Sequence, residues 1–252
     1  MPRNEGFHII PLRVGRINLY KAELTYNVDF SVRLQAPVFV YALRNNDLTH
    51  VLVDAGFQPK HPNSDAQGGL TRFKRALKMA RIDQDQIDTV ILTHLHNDHC
   101  SFLNLFKKAT VFFQAAELSH SYDPLPTQRS FYNDTTLKLL EKADVQVLKG
   151  NKRVENGLRI IHTPGHTPGS QTVLADTAEG TYAICGDTIP MFHNWYPSNE
   201  KFGTPVDLPR IPPGVHTDLR AWFESVRRID SSAEFIIPSH DPKLRDRKVL
   251  PR

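Results

Sequence analysis

At Val90-Ile91-Leu92-Thr93-His94-Leu95-His96-Asn97-Asp98-His99 the chain passes from a short apolar run directly into four metal-capable side chains. A run of this length and character reads as a buried strand, and the residues after it as a turn that feeds a helix. On that reading the alternate residues His94 and His96 point the same way, and Asp98 and His99 project from the turn toward a neighbouring position. One ion could take the first pair and a second ion the other. Imidazole and carboxylate donors together suit zinc, with iron, manganese and cobalt as alternatives.

Four donors are too few for two ions, so the remainder must come from elsewhere in the chain. The same grammar of apolar strand, turn and ligand-type residue recurs at four further places. Ile160-Ile161-His162-Thr163-Pro164-Gly165-His166 offers His166, and Ala183-Ile184-Cys185-Gly186-Asp187 offers Asp187. Phe235-Ile236-Ile237-Pro238-Ser239-His240 offers His240, and Val51-Leu52-Val53-Asp54-Ala55-Gly56 offers Asp54. Strand ends along one sheet edge are where α/β proteins assemble their sites. The other histidines (8, 50, 61, 120, 162, 193 and 216) read as structural, except that His193 lies six residues past Asp187 and is set apart for that reason.

Working outward, the apolar runs Val38–Leu43, Val51–Val53, Val90–Leu92, Val111–Phe113, Ile160–Ile161, Val173–Leu174, Ala183–Ile184 and Phe235–Ile237 read as strands. Leu70, Phe73 and Leu77 share one helical face; Leu219, Trp222, Phe223, Val226 and Ile229 share another, with Thr217 as the expected N-cap. Residues 135–142 predict a third helix. Strands and helices do not alternate one to one, so a layered α/β sandwich fits better than a doubly wound sheet. The segment Pro190 to Pro213 reads as one long irregular loop, and loops of that length are commonly functional. The expectation is a single domain over 1–252 with that loop across its site.

Composition narrows the classes further. With 252 residues, 40% hydrophobic and 23% charged, the chain has the make-up of a globular protein. No apolar run is long enough to span a bilayer, and the first residues, Met-Pro-Arg-Asn-Glu-Gly, carry no apolar targeting region, which predicts a cytoplasmic protein. Two cysteines, Cys100 and Cys185, cannot build a disulfide framework and read as small buried side chains. A net charge of +4, with Arg245, Arg247, Lys248 and Arg252 clustered near the end, describes a solvated tail and not a continuous nucleic-acid footprint.

Taken together, H-L-H-N-D-H after an apolar strand, V-D-A-G upstream, T-P-G-H-T-P-G-S, C-G-D and a late P-S-H resemble the metallo-β-lactamase-fold hydrolases from about Val51 to His240. The resemblance implies a four-layer αββα sandwich with a binuclear site on one edge. It places His94, His96 and His166 on one metal, Asp98, His99 and His240 on the other, and Asp187 between them. Asp54 would support the ligands from behind. Within the superfamily the T-P-G-H-x-P-G-x-Q stretch, Thr163 to Gln171, looks most similar to the quorum-quenching (N-acyl homoserine) lactonases. The chain departs from that group in two places. Pro190 stands where those enzymes usually carry a tyrosine three residues after the bridging aspartate, and Ser101 and Phe102 replace two glycines.

The resemblance therefore implies a hydrolase with two divalent ions, acting on a lactone or related carboxyl ester through water activated between the ions. Asp98 or Asp187 would pass the nucleophile's proton to the leaving alkoxide. His193 or Tyr196 would stand in for the missing tyrosine as oxyanion donor, and Phe192, Trp195 and Phe202 would wall the apolar part of a small-molecule substrate. Alternatives are a phosphoesterase acting on organophosphates or RNA, an iron-dependent sulfur oxygenase, or a metal-binding non-enzyme. These readings involve no membrane, argue against nucleic acid as the main partner, and leave an oligomer open.

Overall fold

The computed structural model describes residues 6–46, 48–60, 66–197 and 209–251. Two mixed β-sheets face one another with helices on their outer sides, the four-layer sandwich expected. The first sheet runs β1 (His8–Tyr20), β2 (Arg33–Asn45), β3 (Leu48–Val53), β4 (Thr89–Ile91), β5 (Thr110–Gln114) and β6 (Asp144–Leu148), in that spatial order. Its first three strands are antiparallel neighbours, and β3 through β6 pair in parallel. The second sheet has the order β11 (Phe235–Ile237), β10 (Gly180–Ile184), β9 (Gln171–Thr177), β8 (Leu158–His162), β7 (Lys152–Glu155), with only the β10–β11 pair parallel.

The period-2 alternation of strands explains the layers. Val51, Val53, Ile91, Phe39, Tyr41 and Phe112 point inward and meet Leu158, Ile160, Val173, Tyr182 and Ile184 of the other sheet. Their sequence neighbours Leu52, Val90 and Val111 point outward and are covered by Phe73 and Leu77 of α1 (Leu70–Met79) and by Leu140 of the short helix Asp134–Leu140. On the far side Leu174, Ala183 and Ile236 are covered by Trp222, Val226 and Ile229 of the helix Leu219–Asp230. Strands buried on both faces read as continuous apolar runs, which is why the central ones were recognisable.

Several expectations are corrected. The long strand β1 was not anticipated: it lies at the sheet edge, contains Pro11, and bulges between Arg13 and Gly15, so its apolar alternation is broken. The N-cap of the Leu219–Asp230 helix is Asp218, whose side chain accepts from the Ala221 amide, while Thr217 bonds to the Gly165 carbonyl instead. The segment Pro190 to Pro213 is not irregular throughout, since Phe192–Trp195 forms one helical turn. Trp195 is no substrate wall: it is buried in the layer beneath Trp222, with Arg210 stacked on its ring at 4.3 Å. Phe202 lies outside the described residues. Cys100 and Cys185 are both buried and free, as expected.

Candidate metal centre

Each candidate ligand sits just past the end of a strand. His94 and His96 follow β4, and Asp98 and His99 occupy the one-turn helix Asn97–Cys100 that ends the turn. His166 follows β8, Asp187 follows β10 and His240 follows β11. Because β4 belongs to one sheet and β8, β10 and β11 to the other, the seven side chains converge only when the two sheets pack face to face.

They form three overlapping groups of donors: His94, His96 and His166; His94, His99 and Asp187; Asp98, His99 and His240, with donor atoms of each group within 4.8 Å of one another. Asp187 divides its carboxylate between them. Oδ2 stands 4.0 Å from His94 Nε2 and 3.6 Å from His166 Nε2, whereas Oδ1 stands 3.3 Å from His99 Nε2 and 3.1 Å from His240 Nε2. Asp98 Oδ2 is 3.5 Å from both His99 and His240. His96 Nδ1 faces His166 Nε2 at 3.1 Å.

The far side of the cluster is tied down. Asp54, with φ of 68°, accepts from the Thr93 amide and hydroxyl and from His99 Nδ1, the last at 2.8 Å. His240 Nδ1 donates to the Pro37 carbonyl and His166 Nδ1 to the Val215 carbonyl. The Ser239 hydroxyl donates to Asp187 Oδ1 at 2.6 Å. Such partners fix ring orientation and leave the opposite nitrogen free for a metal. Nε2 of His94 is accordingly buried without a hydrogen-bonding partner, which a protein interior ordinarily avoids. A group of imidazoles with inward-facing free nitrogens, split by one carboxylate, fits two divalent cations.

Electrostatics separate the two halves in the metal-free protein. Burial, reinforced by neighbouring imidazoles, holds His94 and His96 well below the usual histidine range, and burial lowers His166. His99 and His240 also suffer burial, yet the carboxylates around them (Asp98, Asp54 and Asp187 for His99; Asp187 and Asp98 for His240) raise both above that range. Burial alone would raise Asp98, but His99 and His240 overcome it and hold the carboxyl at about 2. Asp187 is likewise held well below the ordinary carboxylate range, by His240 and His99 against its burial.

This asymmetry has a measurable consequence. Cation binding at Asp98, His99 and His240 should displace more protons than binding at His94, His96 and His166, because surrounding carboxylates raise the first two imidazoles whereas burial lowers the other three. Affinity at the first group should rise by about tenfold per pH unit per proton displaced, until the raised pKa values are passed. Calorimetry of zinc uptake in two buffers of different ionisation heat should show more proton release at one group than at the other; equal release would contradict the assignment.

His193 and Tyr196 lie on and just after the Phe192–Trp195 turn. His193 is half-buried; burial lowers its pKa, and the charges acting on it are Lys21, Asp29, Asp241 and Lys243, none a candidate ligand. Tyr196 is 63% exposed. Around the cluster, Phe131 stands 5.1 Å from the His96 ring, and Tyr26 meets His216 edge-on at 5.0 Å beside the Val215 carbonyl that holds His166. Neither aromatic was anticipated, since each reaches the site from a connection with no strand-end signature.

The match of a family description settles the relationship: the metallo-beta-lactamase superfamily is matched over residues 34–240. The chain belongs to that superfamily. It is a hydrolase of that superfamily, and its expected likeness to the lactonase-like group is borne out by its relatives. A probable metallo-hydrolase of Methanocaldococcus jannaschii is 28% identical over 176 residues, which cover 70% of this chain and 68% of that protein. An N-acyl homoserine lactonase of a Bacillus species is 25% identical over 177 residues, covering 65% of this chain and 68% of the relative. The crystal structure of a quorum-quenching N-acyl homoserine lactone lactonase superposes with a TM-score of 0.74 at 20% identity, over 96% of this chain and 94% of that one.

Proposed function

We propose that this superfamily member is a two-metal hydrolase that opens lactones or cleaves related carboxyl esters. The observation that carries the two-metal part is the Asp187 carboxylate, with one oxygen toward His94 and His166 and the other toward His99 and His240. The carbonyl substrate is supported by the Bacillus lactonase relative. His94, His96 and His166 would hold one ion, Asp98, His99 and His240 the other, and Asp187 both. Zinc suits this nitrogen-rich donor set, with iron, manganese or cobalt as substitutes. Bound as a pair, the ions would supply Lewis acidity and lower the pKa of water to near neutrality.

The chain's own groups do the rest. Asp98 lies 3.5 Å from His99 and His240 and keeps 17% of its side-chain surface exposed, so its carboxylate can carry a proton from the attacking water to the leaving alkoxide. Phe131 and Tyr26 offer the apolar surface that the interior position of Trp195 does not. At Pro190 no side-chain donor exists, and its carbonyl is occupied by the His240 amide at 2.8 Å. For the oxyanion donor we favour His193 over Tyr196, because its buried Nε2 has no hydrogen-bonding partner whereas Tyr196 is largely in solvent.

The test is a panel of N-acyl lactones, aryl esters, thioesters and aryl phosphotriesters, assayed with zinc-loaded wild type and with His193→Gln. The expected result is two ions per chain, highest kcat/KM on lactones, and a His193→Gln variant with lower kcat at similar KM. Preference for the phosphotriesters would replace the lactonase reading with the phosphoesterase one. A single ion per chain after loading would overturn the two-metal assignment.

A further inference from the structure

Outside the seven ligands, one carboxylate has no place in the chemistry described so far. Glu117 lies in the helix Ala115–Tyr122 that follows β5, and it is completely buried. Among the described residues no Lys or Arg pairs with it. Four donors converge on it instead. Oε1 accepts from the Leu95 amide at 2.9 Å and from the Tyr132 hydroxyl at 3.1 Å; Oε2 accepts from the Thr167 hydroxyl at 2.5 Å and the Gly169 amide at 3.2 Å. Burying a carboxylate is costly unless its lone pairs are filled, and charge-assisted bonds to backbone amides fill them well.

The identity of those donors gives the group its meaning. Leu95 separates His94 from His96. Thr167 and Gly169 follow His166 in the Thr-Pro-Gly-His-Thr-Pro-Gly turn. Tyr132 packs edge-on against His96, with ring centres 4.8 Å apart. The turn sits hard against the helix, since a Cβ on Gly169 would fall 2.2–2.5 Å from Glu117 atoms. Every donor thus belongs to an element that carries or touches His94, His96 or His166. Leu95 also precedes the Asn97–Cys100 helix, whose Cys100 thiol donates to the Leu95 carbonyl, but Glu117 bonds to none of Asp98, His99 and His240; His99 and His240 are held from behind by Asp54 and the Pro37 carbonyl.

We infer that Glu117 is a positioning residue for one half of the metal centre: it ties the two separate turns that supply the three-histidine group into one rigid unit and bonds directly to no donor of the other group. The inference rests on the two-metal reading for its setting, not for its geometry. It also accounts for a strand-end acid that needs no metal. The chain Gln114-Ala115-Ala116-Glu117 continues β5 as the ligand-bearing turns continue their strands, but its carboxylate points back into the protein behind the ligands.

The experiment uses whole protein loaded with cobalt, from which metal is withdrawn by graded chelator and counted by elemental analysis. Glu117→Gln keeps the shape but gives up one acceptor oxygen for a donor. It should release one ion at roughly 10–100-fold lower chelator concentration than wild type, the usual effect of losing an outer-shell partner, with the second ion unchanged. In a His240→Gln background, which removes one donor of the other group and leaves the three-histidine group whole, Glu117→Gln should weaken the ion held by the three histidines by the same factor. Release of both ions in step, or of neither, overturns the inference. A wild type that binds one ion sinks the two-metal reading instead, and Glu117 is then judged by whether its variant weakens that ion. Should Glu117→Gln show no cooperative unfolding, Thr167→Val removes a single donor with no change of charge. It must shift the same ion in the same direction, and no shift overturns the inference.

Discussion

Asp187→Ala is expected to abolish turnover and strip the metal centre, with a larger effect than any single histidine substitution. Its two oxygens stand at 3.1–4.0 Å from four imidazoles drawn from both donor groups, so its loss reaches both halves at once. In the metal-free protein it is also the main counter-charge for His240 and one of three for His99. The variant would leave those buried rings repelling one another and the Ser239 hydroxyl without its acceptor. The loss of activity should exceed the roughly 10–100-fold that follows removal of an outer-shell partner. Bound metal should fall from two ions to one or fewer by elemental analysis. Asp187→Asn separates charge from shape: it should retain the fold, by circular dichroism, while losing most of the activity. Near-normal turnover in either variant would mean that another residue joins the two groups.

How much of this centre was legible in the sequence follows from what sequence can encode. All seven candidate ligands sit immediately after apolar strands, and that local grammar needs no knowledge of which strands are neighbours. His94 and His96 face the same way because a strand end sets alternate residues on one side, and the fold preserves that direction. The supporting contacts were less accessible. Asp54 announced itself by standing in the same setting, but the Val215 and Pro37 carbonyls that hold His166 and His240 are backbone groups, which carry no residue signature at all. Glu117 resembles an ordinary helical acid until the packing of two distant turns is known. Trp195 misled for the opposite reason. Proximity in chain to Asp187 suggested a substrate wall, whereas one helical turn at Phe192–Trp195 rotates the indole into the layer under Trp222. Edge strands such as β1 and β6 escaped notice because one flank faces solvent, and polar residues there interrupt the apolar run.

Gly165→Ala should be strongly destabilising, and its cause is steric. Gly165 has φ of 140°, outside the range that side-chain-bearing residues favour, and a Cβ there would lie 2.5 Å from Trp222 Cβ and 2.6 Å from its Cα. Neither atom is the end of a flexible side chain. Trp222 is fully buried, its indole donates to the Thr188 carbonyl at 2.7 Å, and it is anchored in the Leu219–Asp230 helix. Gly165 is also the hinge pin of that contact. Its carbonyl accepts from the Thr217 and Asp218 amides at 2.7 and 3.1 Å, and the neighbouring Pro164 carbonyl accepts from Ser225. Dihedral strain of about 1–3 kcal/mol and overpacking of about 1–3 kcal/mol should therefore add. For a domain of this size that lowers Tm by roughly 10 °C. Because His166 is the next residue, relief of the clash must drag a ligand with it, so the three-histidine group should lose affinity as well. Gly150 supplies the control: its φ is 96° but nothing lies within 4 Å of an added Cβ, so Gly150→Ala carries the dihedral cost alone. Calorimetric unfolding of both variants should show a Tm drop for Gly165→Ala at least twice that for Gly150→Ala, with metal affinity reduced only in the former. Equal drops would assign the whole effect to backbone strain and remove the close approach of Trp222 from the account of how His166 is held.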